Sequence, residues 1–228
     1  VGAFAFNGRA LDKTSAWGLR KSPMHLIQTK KYLVLIWCWL LLLAGPGIAL
    51  AHPHVFADTS LNIVFDEDGL SGIEVEWVFD EFFSSMILEE FDTDHNNEIN
   101  SKENRGLEKG AFRNLKNYNY FNWMAIDGKK FTIKWVKDFK AHVKGGRLVY
   151  SFFIPCHVKA SQKDKIVVIS PSDPTYYTAL EFAAENPVSI KGGKNFSVKY
   201  KIAPSTERTI YYGMVHPLEL TLCFKLKK

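Results

Sequence analysis

Six residues between Asp92 and Glu103 have the types and the spacing of a loop for a hard cation. Asp92, Asp94 and Asn96 stand at positions 1, 3 and 5 of a twelve-residue segment, with Glu98 at 7, Asn100 at 9 and Glu103 at 12. In that pattern side-chain oxygens from 1, 3 and 5, a backbone carbonyl from 7, position 9 and a bidentate carboxylate from 12 surround Ca²⁺. Ile99 at position 8 is the apolar anchor of such a loop. Position 6, usually glycine, is Asn97, the residue type that after glycine best tolerates a left-handed backbone. Only three of the ligand side chains are carboxylates, so the expected affinity is weak, about 0.1–1 mM, which suits a structural brace better than a sensor.

A second constellation is His52-Pro53-His54. With His52 as a free amino terminus, its α-amine and imidazole chelate one transition metal and His54 adds a nitrogen, a donor set suited to Ni²⁺, Co²⁺, Zn²⁺ or Cu²⁺. Pro53 has no amide proton, so the planar site built from deprotonated backbone amides is blocked. His142, His157 and His216 are further nitrogen donors, and Asp173 joins the site if its segment folds back toward His52. Two exposed histidines at a flexible terminus are the alternative. Cys156 and Cys223 are candidates for a disulfide, with two buried free thiols as the other reading. Glu74 and Glu76 alternate along one strand face and read as solvated neighbours rather than an acid–base pair.

No Gly-rich phosphate loop, G-x-S-x-G elbow or H-E-x-x-H pair occurs, so binding is expected rather than catalysis. A copper held by an amino-terminal His52 that performs oxidative chemistry is a second reading. A solute-binding component of an ABC-type importer is a third, against which a β-rich chain of this size argues, since those components are generally two-lobed α/β proteins.

These residues need elements to position them. Residues 24–51 have the order of a secretory signal: Lys30 and Lys31, an apolar run from Leu33 to Ala44, a break at Gly45-Pro46-Gly47 and the small-residue site Ala49-Leu50-Ala51. Cleavage there makes His52 the new terminus in the periplasm or outside the cell; an uncleaved anchor is the alternative. Membrane contact is expected only through this segment. Cys38 lies within the apolar run, and residues 1–23 read as an upstream extension outside the fold. Of 228 residues, 29 are Lys or Arg and 24 Asp or Glu, but six of the bases and one acid precede His52. The remainder is formally neutral, which removes the charge argument for nucleic acid.

From His52 to Lys228 the chain reads as one mainly β domain, an antiparallel sandwich with a helix-loop-helix insertion at about 80–118. The runs at 57–65 and 70–79 alternate with period 2 about a turn-rich tetrapeptide and predict a hairpin. Phe82, Phe83, Met86, Ile87 and Phe91 then fall at helical spacing behind an N-cap at Asp80, and a second helical run carries Leu107, Ala111 and Leu115 to about Tyr118. Short aromatic and β-branched runs follow, punctuated by Asp127-Gly128, Gly145-Gly146 and Gly192-Gly193, among them FTIKWV at 131–136 and a strand entered by Tyr176 and Tyr177 after a turn at Asp173-Pro174.

The HPHVF opening, Glu76-Trp77 to Asp80-Glu81-Phe82, the DTDHNNEI loop, Asn119-Tyr120-Phe121 and Asp173-Pro174-Thr175-Tyr176-Tyr177 together resemble domain-of-unknown-function family 1007 over nearly all of 52–228. The resemblance implies an exported bacterial protein, described as the periplasmic component of a transport system and associated with nickel and cobalt permeases. It therefore implies an accessory to an inner-membrane metal permease. The family loop usually resembles D-x-D-x-D-G, from which Asn96 and Asn97 depart.

Overall fold

The computed structural model describes residues 31–37 and 53–227. Residues 31–37 are helical, and among the described residues no helix is long and apolar enough to cross a membrane. His52, Cys38, residues 1–23 and most of the expected signal segment lie outside the described residues. The chain divides into two units, Val1–Leu50 and Ala51–Lys228, and the second carries the fold described below.

Val55–Phe65 (β1) and Gly69–Phe79 (β2) form the expected hairpin, with Leu61 opposite Val75 and Ile63 opposite Ile73. Asp66 holds its turn by accepting the N–H groups of Asp68 and Gly69, each at 3.0 Å. Gly69 is required by space as well as by its backbone, since a Cβ there would lie 2.3 Å from the carbonyl oxygen of Val158. Two helices follow, α1 (Glu81–Phe91) and α2 (Ser101–Gly110). A 3₁₀ segment from Phe112 to Phe121 then leads into β3 (Asn122–Ile126) and β4 (Lys129–Phe131). The remaining strands are β5 (Lys137–Lys144), β6 (Arg147–Lys159), β7 (Lys165–Pro171), β8 (Thr178–Phe182), β9 (Val188–Lys191), β10 (Phe196–Pro204) and β11 (Leu218–Leu226).

The strands make two sheets. One has the order β5-β6-β2-β1-β8, with β9 also on β1, and the other has the order β10-β11-β7-β3-β4. Inward faces of both supply one core, in which Ile63, Ile73, Phe152, Ile169, Leu222 and Phe224 are each 1% exposed or less. Phe65 of the first sheet meets Phe224 of the second edge to face at 5.1 Å. Each such side chain contributes about 1.5–3 kcal/mol by leaving water.

The mainly β reading holds, and three details differ from it. First, β1 pairs with β8 and β9 in parallel rather than antiparallel. The segment after β7 passes from one sheet to the other, so no tight turn imposes reversal. The chain then stays on the same edge through Ala183 N–H to Thr59 O and Leu61 N–H to Pro187 O, both 2.9 Å. Second, the run at 131–136 is strand only at Phe131, and an edge strand appears instead at 137–144. Its Lys and His side chains between Phe139, Ala141 and Val143 are what an exposed edge carries to avoid pairing with other chains. Third, Tyr176 and Tyr177 precede β8 rather than enter it; Tyr176 takes a φ of 57° and Tyr177 is half exposed.

Cys156 and Cys223 are free thiols, which corrects the expected disulfide. Strand parity gives the reason. On β6, Cys156 shares the inward parity of Phe152 and Ile154 and packs against the core, whereas on β11 Cys223 alternates with the buried Leu222 and Phe224. Cys223 is therefore on the outer face of the second sheet, and that sheet stands between the sulfurs.

Candidate metal centre

Asp80 fixes where α1 starts. One carboxylate oxygen accepts the N–H of Phe83 at 2.8 Å, as an N-cap does, and the other accepts the N–H of Phe56 at 2.8 Å, tying the helix to β1. The apolar stripe is narrower than its spacing suggests. Phe83, Ile87 and Phe91 face the core, while Phe82 is 71% exposed and Met86 48%. The last turn closes with the N–H of Asp92 donating to Leu88 O at 2.9 Å, and the loop begins there.

The loop is built around its own carboxylates. Asp92, only 4% exposed, accepts the N–H groups of Asn96 and Asn97 at 3.2 and 2.7 Å. Asn97 takes a φ of 61°, the left-handed turn that its position demands. Asn100 caps α2, its side-chain oxygen accepting from Lys102 and Glu103 N–H at 2.9 and 3.1 Å, while Glu103 accepts the N–H of Asn100 at 3.0 Å. That reciprocal pair is a capping box. The other oxygen of Glu103 accepts both the N–H and the hydroxyl of Thr93 at 2.8 Å. Ile99 packs against the core and Leu107 is fully buried, which anchors the loop's second arm.

One consequence is a cluster of charge. Ligand oxygens of Asp92, Asp94 and Glu103 lie within 4.8 Å of one another, the one group of three such ligands among the described residues. Burial works to raise the carboxyl of Asp92, but the N–H groups of Asn97 and Asn96 outweigh it and hold the pKa below its ordinary value. For Glu103 the N–H of Asn100 has the largest effect, and with Thr93 it lowers the pKa against burial and the charge of Asp92. Carboxylates gathered this closely repel one another when ionised, and hard oxygen donors at this spacing are the kind that a divalent cation takes. Within the loop the Asn96 side-chain oxygen accepts the N–H of Glu98 at 2.8 Å, Asn100 caps α2 through its side-chain oxygen, and Glu98, expected to offer its backbone carbonyl, has an exposed side chain. Thr93 is the contributor that the spacing of acids does not reveal, because its work is to orient Glu103.

The histidine constellation is less assembled. His54 is exposed at the start of β1, its N–H donating to Tyr177 O at 2.9 Å and its ring 5.0 Å from that of Tyr177. Asp173, 2% exposed, spends one oxygen on the N–H and hydroxyl of Thr175 at 2.8 Å and the other on the N–H of Thr178 at 3.0 Å. It holds its own turn. His216 Nδ1 lies 2.9 Å from Ser205 O, His157 takes a φ of 47° on β6, and His142 lies on β5. Among the described residues none of these joins His54 in a group of three metal ligands.

The Asn119-Tyr120-Phe121 motif does something that sequence reasoning missed. All three residues have positive φ, 56°, 50° and 50°, a costly run for side chains of this size. The amide of Asn119 donates to Asn122 O and its oxygen accepts the N–H of Ile133 at 2.8 Å, and the amide of Asn122 donates to Tyr120 O at 2.6 Å. The helical run does leave helical geometry at Tyr118, as its pattern predicts, but it is α-helix only to Gly110 and 3₁₀ beyond, and this tied corner turns the chain into β3.

The chain belongs to the family described as protein of unknown function (DUF1007), whose family model matches residues 37–212. It is similar to an uncharacterized 15.5 kDa protein in the trpE 3' region of Spirochaeta aurantia, 34% identical over 55% of this chain and 89% of that protein. It is also similar to an uncharacterized protein of Haemophilus influenzae, 27% identical over 71% of this chain and 77% of that protein.

Proposed function

We propose that this member of the DUF1007 family is an exported divalent-cation-binding protein. Calcium in the EF-hand-type loop at 92–103 braces the helical insertion on the β-sandwich. The His52-Pro53-His54 start carries a transition metal, nickel or cobalt first among them, to an inner-membrane permease. One observation carries the calcium half: the oxygens of Asp92, Asp94 and Glu103 lie within 4.8 Å of one another. Ligands on opposite sides of a Ca²⁺ ion, at 2.3–2.6 Å each, stand about 4.6–5.2 Å apart. The depressed pKa values of Asp92 and Glu103 keep both charged at neutral pH. Export is supported by Lys30, Lys31 and the apolar run before Ala49-Leu50-Ala51. The transition-metal half is supported by the exposed imidazole of His54 two residues after His52.

The test is elemental analysis of the protein purified from the exported fraction without chelators, with its amino-terminal residue determined on the same sample. About one transition metal per chain beside loosely held calcium is the expected result. His54→Ala on an authentic His52 terminus must then weaken nickel, cobalt, zinc and copper binding; unchanged affinities would sink the delivery reading and leave a calcium-braced domain.

A further inference from the structure

The outer face of the second sheet carries a cleft that neither the cation loop nor the histidines use. Its volume, about 360 Å³, is that of a small-molecule site. Met124 on β3 is fully buried in the core, so Trp123 and Ala125 face outward, and Lys130 of β4, paired with Ala125, faces outward with them. Arg208, which follows β10, lays its guanidinium over the Trp123 ring at 4.1 Å. Lys116 and Tyr118 close the cleft from the 3₁₀ segment, and Asn119, first of the three positive-φ residues, forms part of the same wall. Backbone held against its preference is typical of ligand clamps.

The charge of the lining has one sign. Lys116, Lys130 and Arg208 line the cleft and no carboxylate does. Glu219 Oε2, 3.6 Å from Nη2 of Arg208, offsets that one charge. Among the described residues no acid pairs with Lys116 or Lys130, both of which are exposed. Asp173 sits between the lining residues Ser172 and Pro174 but spends both oxygens within its own turn. In Arg208, Nε and Nη2 are buried without a hydrogen bond, which leaves Nη1 as the accessible nitrogen of the guanidinium.

We propose that this cleft binds a small, ring-bearing phosphate monoester, its phosphate between the ammonium groups of Lys116 and Lys130 beside Arg208 and its ring against Tyr118, which is 51% exposed. The charges match: such a monoester carries about −1.5 to −2 at neutral pH, against the two lysines. Donors arriving from three elements suit the three terminal oxygens of a phosphate. A carboxylate is best held by the flat two-nitrogen fork of an arginine, and here two of the three guanidinium nitrogens are buried. The site is separate from the cation loop and from His54, and it stands whether or not the calcium and transition-metal readings do.

The probes are phenyl phosphate, inorganic phosphate, which lacks the ring, and benzoate, which lacks the tetrahedral group. Each is titrated into the full chain by calorimetry at fixed ionic strength. Phenyl phosphate should bind saturably, about three- to tenfold more tightly than either of the others. Lys116→Gln and Lys130→Gln should each weaken it about three- to tenfold with the melting temperature retained. Lys144→Gln on β5 of the first sheet, the same change of charge outside the cleft, should leave it unaltered. Tyr118→Ala should reduce phenyl phosphate to the affinity of inorganic phosphate. Absence of saturable binding by the wild-type chain overturns the proposal. So does benzoate binding as tightly as phenyl phosphate, or an equal loss from Lys144→Gln and the cleft variants, which is the mark of attraction between net charges alone.

Discussion

Glu103 concentrates what a single residue does in this protein: it closes the capping box of α2, orders Thr93 and supplies the twelfth position of the loop. Glu103→Gln keeps the shape and removes the charge. Calcium at 100 times its dissociation constant stabilises by about 2.7 kcal/mol, and the variant should lose most of the calcium-dependent rise in melting temperature seen by calorimetry. An unaltered rise would remove the loop from the calcium reading. At Cys156, burial pushes the thiol up to about 12, so at neutral pH it is protonated and shielded. Native alkylation by iodoacetamide should therefore label Cys223 first and Cys156 only on unfolding. Residue types and spacing made the loop and Asp80 legible before any coordinates, because one-dimensional spacing is what those features depend on. The state of the cysteines was not legible, since it turns on which side of a sheet each sulfur faces.

Among the elements, α1 and the first hairpin were readable and the corner at 119–121 was not. A helix start is a local matter of cap and periodicity. Three consecutive positive-φ residues are imposed by side-chain bonds from Asn119 and Asn122, one of which reaches across to Ile133. Asp80→Ala removes two acceptors at once, freeing the N–H groups of Phe83 and Phe56, and should cost about 1–3 kcal/mol in denaturant unfolding. The β3–β4 turn gives a pH prediction. The ammonium of Lys165, at 2.8 Å, and the N–H of Ile166 hold Asp127 below its ordinary value of 3.8. A depressed carboxylate contributes stability above that ordinary value and loses it as pH falls through the folded one. Acid unfolding curves of Asp127→Asn should therefore converge on wild type at low pH and lie below it at neutral pH.

At the scale of the molecule, alternation and turn signals foretold a mainly β fold with a helical insertion, but not the strand order, because pairing between distant strands leaves no local mark. Phe224, fully buried where the sheets meet Phe65, is the sharpest test of the shared core; Phe224→Ala should cost about 3–5 kcal/mol. The pairing of β1 with β8 and β9 has a consequence for the order of folding. Val55 finds its outer neighbour only at Thr178 and Leu61 only at Val188, so both contacts close very long loops. Such contacts are slow to form. A nascent chain emerging from the ribosome completes the β1–β2 hairpin early and then carries its far edge open until the last third arrives. Chains halted before Thr178 should accumulate as aggregates through that unpaired edge, a vulnerability of synthesis that the finished protein no longer carries.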